Sequence, residues 1–319
     1  MILPVALLLV AGAVMLAAPR FIPAFFPPQH RRPGGELVAW QVSAWSVVLC
    51  MFSALAMLSL PGAAEVGSLP AALEQCLRQA GSSDSAWLSA AGRAVVAGVL
   101  VIASGRIVQI MLVLGRRHKT QRRRQRGTLD LIASQDSSSR VWTYPSDVAL
   151  VYCIPGRCAR VVFTSAALKR LDARERQAVC EHEWAHLRWR HHHLLASVHV
   201  LASAFPRVRL FSAAAERTRT LVEIHADAVA ARTVGTVNLM SALLRLSAGP
   251  RQPWPALNAA GDATAERVQM LISHADDGHA GRPFQRPQRS WLTNAAILAV
   301  VATAPVALSA TIHAAFCWV

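Results

Sequence analysis

The chain has 319 residues, 53% of them hydrophobic and 16% charged, with a mean hydropathy of +0.32. Soluble domains carry about 25% charged residues and disordered chains are poor in apolar ones, so the composition argues against the first class and excludes the second. The formal charge of +15 points to anionic lipid, nucleic acid or a membrane-topology signal, and position along the chain decides among them. Six cysteines without framework spacing do not make a disulfide scaffold.

In chain order, residues 2–18 are uncharged and just long enough to span a bilayer. A cleaved secretory leader is the competing reading, but it would want Lys or Arg before the apolar run, and none is there. Residues 37–60 and 94–114 form a second and third expected span, the third interrupted by Arg106, and residues 291–319 form a fourth. Trp40, Trp45, Trp87, Trp291 and Trp318 lie within or at the ends of these segments, where the terminal ones suit interfacial anchors.

Four spans with an external N-terminus put Arg20, Arg31, Arg32, the block RRHKTQRRRQR at 116–126, and Arg282, Arg286 and Arg289 on one face. The positive-inside rule makes that face cytoplasmic. The expected organisation is therefore a three-helix membrane region over 1–114, a cytoplasmic domain over 115–290 and a fourth transmembrane helix over 291–319. Both termini would be external on a multi-pass protein of the cell membrane. The basic block directly follows a span, so topology and lipid headgroups explain it more cheaply than direct nucleic-acid binding. Arg106 has two readings, a functional charge within the membrane or a side chain snorkelling to the cytoplasmic surface.

Within the cytoplasmic domain, Asp147–Tyr152 and Ala159–Thr164 read as short strands around a Pro155-Gly156 turn. Asp172 and Glu175 resemble a capping box. The following ARERQAVCEHEWAHLRWRHHHLLASV lacks Pro and Gly, so one long helix is expected there. A second helix is expected from about Phe211 to Arg232, closed by Gly235, and a third from about Asn238 to Leu246. The expected fold class is membrane α-helical, with a mainly α (α+β) extramembrane domain.

The first long helix contains His182-Glu183-Trp184-Ala185-His186, an H-E-x-x-H motif. Two His four apart share a helix face, so both imidazoles can reach one ion. Glu183 stands beside that face, placed to take a proton from water. Zinc suits this ligand set, and the domain is expected to be zincin-like. His192 stands at the spacing of a longer motif whose chain turns at a Gly, but this chain has Trp189 there. A continuing helix carries His192 about 9 Å beyond His186 along the axis. His191, His192 and His193 then read as a basic, partly solvated helix end.

A better third ligand lies in Glu223-Ile224-His225-Ala226-Asp227, where Glu and Asp share a face in an otherwise apolar stretch. One carboxylate can complete the metal set while the other orients a ligating His. His225 lies off that face and is not expected to be a ligand. The chemistry is metal-assisted peptide hydrolysis, and the runs at 147–164 provide an edge against which an extended substrate can pair.

The segments VVFTSAALKRLDARERQAVCEHEWAHLRWRH at 161–191 and LVEIHADAVAAR at 221–232, with a peptidase domain between a third and a fourth span, resemble the BlaR/MecR-type integral membrane zinc metallopeptidases, the antirepressor proteins. The resemblance is specific only in those two segments. It implies that His182, His186 and Glu223 hold Zn2+, that Glu183 is the general base, and that Asp227 is the acid behind a ligand. It also implies a cytoplasmic helix-turn-helix repressor, of winged-helix type, as protein substrate in a signalling pathway. The β-lactam sensors carry a penicillin-binding domain after the fourth span, whereas this sequence ends at Val319, so direct antibiotic sensing is not expected.

Two rivals stand beside this reading: an HtpX/Ste24-type quality-control or processing protease, and a non-catalytic signalling protein with a structural zinc site. Cys76 and Cys317 share the external compartment and could pair, against an expectation of two free thiols. Cys153, Cys158 and Cys180 are expected to be reduced.

Overall fold

The computed structural model describes residues 2–26, 33–59, 85–135, 141–156, 159–247 and 266–272. The expected fourth span, Cys76, Cys158, Cys317 and the basic residues near 282–289 lie outside the described residues. Three long helices come first: α1 (Ile2–Phe25), α2 (Pro33–Ser59) and α3 (Ser85–Ile132). Each is long and apolar enough to cross a membrane, over Pro4–Phe25, Pro33–Ser59 and Ala90–Ile132. Val95, Val101, Ile102 and Met111 of α3 lie bare on its surface, a pattern that suggests lipid as the solvent. α3 does not stop at the basic block. It runs 48 residues, about 70 Å, and carries the arginines out on its own stem.

The end of α3 leads into a four-stranded sheet, β1 (Ser134–Gln135), β2 (Val141–Tyr144), β3 (Val151–Ile154) and β4 (Arg160–Thr164), in the order β1-β2-β4-β3. β2 runs parallel to β4 and β3 antiparallel to it. Alternation along β4 divides its side chains between two faces. Val162 packs with Leu129 of α3 and Ile154, whereas Val161 and Phe163 pack with Val179 and Leu171 on the other face. The sheet is thus clamped between α3 and the helices C-terminal to it. β3 forms one edge.

Those helices are α4 (Ser165–Arg170), α5 (Ala173–Arg188), α6 (His191–Ala204), α7 (Arg209–Val234) and α8 (Thr236–Ser247). The capping box is present at α5: Asp172 accepts from Glu175 N at 2.9 Å, and Glu175 accepts from Asp172 N at 2.8 Å. Ser241 and Arg245 of α8 also bond the buried Glu175, fixing α8 against α5. Gly235 closes α7 with φ of +95°, a conformation that suits glycine. Residues 266–272 form a further short helical turn.

The expectation of one helix over 173–198 is wrong. α5 ends at Arg188, and Arg190 adopts the left-handed region at φ +52° before α6 begins. No Gly or Pro signals the break, and the left-handed conformation costs a non-glycine residue roughly 1 kcal/mol. The packing of α6 supplies the reason. This helix turns away so that Val198 and Leu201 join Leu7, Trp40, Ala44 and Leu221 in one apolar cluster shared with α1, α2 and α7. Strand β3 begins four residues later than the run read from the sequence, and β1 and β2 carried no pattern long enough to stand out.

Polar contacts join the same layers. Gln41 of α2 donates to Leu194 O at 3.1 Å and accepts from Ser197 at 2.8 Å. Arg106, at mid-span in α3, donates its Nε–H to Ala204 O at 2.8 Å, one of the carbonyls left orphaned where α6 ends. That bond gives the charge inside this apolar helix a local partner.

Candidate active site

α5 and α7 cross so that the H-E-x-x-H turn of one faces the Glu223–Asp227 turn of the other. His182 Nε2 and His186 Nε2 lie 3.1 Å apart, and the Glu223 carboxylate oxygens lie 3.6 Å from each. Two nitrogens held about 2.0–2.1 Å from one tetrahedral zinc stand roughly 3.3 Å apart, so the three donors fit one ion. The sequence-predicted set His182, His186 and Glu223 is thus brought together, in one group whose donor atoms lie within 4.8 Å of one another.

Asp227 stands behind it. Its Oδ1 is 2.9 Å from His182 Nδ1, the ring atom facing away from the donor triangle. Arg267, from the 266–272 turn, grips the same carboxylate through Nε at 2.6 Å and Nη2 at 2.9 Å, and reaches Glu223 at 3.5 Å. Sequence reading missed Arg267 because a lone arginine in AERVQML carries no pattern.

The electrostatics call for a cation. Burial works against charge on His182, yet Asp227 and Glu223 push its pKa up to about 10. Burial would raise the Glu223 carboxyl, but His182 holds it well below the carboxylate range. Burial and His182 together hold His186 down to about 4, leaving its lone pair available at neutral pH. Glu183 is pushed up by burial, against the pull of His182 and of the Cys153 thiol, which donates to it from edge strand β3. A raised carboxyl beside the donor triangle suits a group that accepts and returns a proton.

His191 corrects a second expectation. It is not a solvated helix end; only 1% of it is exposed. Its Nδ1 lies 2.9 Å from His186 Nδ1, and its Nε2 lies 3.1 Å from His225 Nδ1. Trp189 stands edge-on to the His225 ring. His192 has no place in the donor group, as expected, although the helix does break before it.

Two histidines, each with a polar partner behind it, and a glutamate make a donor set that suits a metal ion, with a second, half-buried glutamate beside it next to Cys153 of the sheet edge. Residues 118–276 match the family model described as Peptidase family M48. That stretch contains every residue of the site, and the match indicates a metallopeptidase. No curated protein and no solved structure matches the chain.

Proposed function

We propose that the protein is a membrane-anchored zinc endopeptidase with His182, His186 and Glu223 as ligands and Glu183 as general base. The convergence of Nε2, Nε2 and carboxylate at 3.1–3.6 Å, with Glu183 one residue from His182 on the same helix, carries this reading. Bound zinc supplies Lewis acidity for the scissile carbonyl and for water. Glu183, half-buried and drawn up in pKa, takes the proton from the attacking water and returns it to the leaving amine. Asp227 holds the His182 ring in place, and Arg267 holds Asp227. The edge that β3 forms among the described strands, whose Cys153 meets Glu183, offers backbone groups to an extended peptide passing the base.

The finer reading is that the domain lies on the cytoplasmic side and cleaves a winged-helix repressor, as the BlaR/MecR resemblance implies. A second reading is an HtpX/Ste24-type processing or quality-control protease. The packing of α6 and α7 into one cluster with α1 and α2 favours it, because a site built onto membrane helices suits membrane-protein substrates. Casein hydrolysis by the purified protein, abolished by a chelator and restored by Zn2+, tests the activity. A zinc-loaded protein without hydrolysis would leave the structural-zinc alternative standing. Cleavage of a repressor encoded beside the gene, on co-expression, separates the two protease readings. A cysteine placed at Gln121 should be labelled only in permeabilised cells, and one at Ser82 from outside; the reverse pattern would refute the cytoplasmic placement.

A further inference from the structure

The zinc-facing histidines are supported in two different ways. His182 has a carboxylate behind it, Asp227, whereas His186 has another imidazole, His191, which in turn has a third, His225. In an unbroken helix, residues five apart point about 140° away from each other, so His191 could not reach His186. The left-handed Arg190 folds the chain back and delivers His191 to that atom, and the site retains this costly conformation at a non-glycine position.

The hydrogen-bond directions along the row are fixed by the inventory of a neutral imidazole, one donor and one acceptor nitrogen. If His186 gives its Nε2 lone pair to the metal, Nδ1 must carry the proton and donate to His191 Nδ1. His191 then carries its proton on Nε2 and donates to His225 Nδ1. A single choice at the metal therefore sets the tautomer of three rings. The reverse holds too: when the His191–His225 pair takes that order, it presents His186 with an acceptor and turns its lone pair toward the site.

We propose that His191, backed by His225, is a positioning residue that selects the metal-binding tautomer and orientation of His186. This rests on the zinc-peptidase reading above. Asparagine can place its carbonyl where His191 Nδ1 lies, accepting from His186, whereas phenylalanine fills the space with no acceptor. The full-length protein in detergent, titrated with Zn2+ against a chromophoric chelator and separately loaded with Co2+, gives the readout. His191→Phe should bind Zn2+ roughly 10–100-fold more weakly and alter the Co2+ absorption band. His191→Asn should restore most of the affinity and the wild-type band. His225→Phe, which strips the last acceptor from the row, should weaken binding in the same direction but less.

A purely structural histidine would lower the melting temperature of the metal-free variants without this order of affinities. Wild-type affinity in His191→Phe, or His191→Asn no better than His191→Phe, would overturn the proposal. If His191→Phe fails to fold, an unchanged affinity in His225→Phe overturns it equally. A wild-type protein that bound no Zn2+ would instead remove the peptidase reading, and this one with it.

Discussion

Two charged clusters lie about 15 Å apart along α7, and neighbouring residues of one short turn clamp both. In the first, Arg217 bonds Glu36 of α2 through Nε at 2.7 Å and Glu266 through two nitrogens, each at 2.9 Å. Glu36 is fully buried, and its charge is answered on the spot. In the second, Arg267 answers Asp227, but three carboxylates, Glu183, Glu223 and Asp227, share that one guanidinium. Without an ion the acids hold a proton on His182; were both ligand histidines neutral, as metal ligation requires, two negative charges would remain for one divalent ion to balance. The first cluster also keeps one negative charge, since one guanidinium meets two carboxylates, but both acids there take hydrogen bonds from Arg217. The second carries the larger acidic excess and aims nitrogen lone pairs into it.

The comparison breaks most completely if Glu223→Ala keeps its metal. That substitution removes a donor, so zinc content and casein hydrolysis should both be lost, as metal analysis and one protease assay will show. Glu183→Gln should keep about one zinc per chain and lose hydrolysis by roughly two to four orders of magnitude, since only the base is gone. Asp227→Asn should cost about 10–100-fold in metal affinity or activity, because His182 is loosened and Arg267 loses the nearer of its ionic partners.

The arginine-bridged cluster sharpens the contrast from the other side. Arg217→Met removes the guanidinium that faces the buried Glu36 and should destabilise the protein by about 3 kcal/mol in thermal unfolding, while zinc affinity stays near wild type. An equal loss of zinc would show that the two clusters act as one.

The smallest effect concerns pH. Glu183 works only when ionised, and burial raises its pKa above the ordinary carboxylate value. Activity should therefore be full above that raised pKa and fall as pH drops through it. Cys153→Ala removes a donor that favours the charged form, so the acid limb should move slightly upward. A limb unmoved or lowered would deny the contact.

Much of the site was legible because its residues obey helix periodicity: His182 with His186, and Glu223 with Asp227, each share a face by spacing alone. The capping box at Asp172 was legible for the same local reason. The turn at Trp189–Arg190 was not, because a non-glycine left-handed residue is set by packing beyond its own segment. His191 was misjudged with it. Arg267 and Arg217 were invisible because their partners lie 40 and 181 residues away, and no short-range pattern encodes such contacts. The strands were read only where β-branched residues ran together, so Val141–Tyr144 went unnoticed.

The bond from Arg106 to the end of α6 fixes where the site-bearing helices sit along α3. α6 runs antiparallel to α3, with Ala204 at Arg106 and His192 near Arg122. Counting along α3, His192 stands about 24 Å above Arg106 and only about 9 Å beyond Arg116, where the basic block begins. A bilayer crossed by α3 below Arg116 would set the donor group near the level of its headgroups. Substrates held on that same surface would then meet the site at a local concentration set by area rather than volume, as the membrane-protease reading proposed above requires.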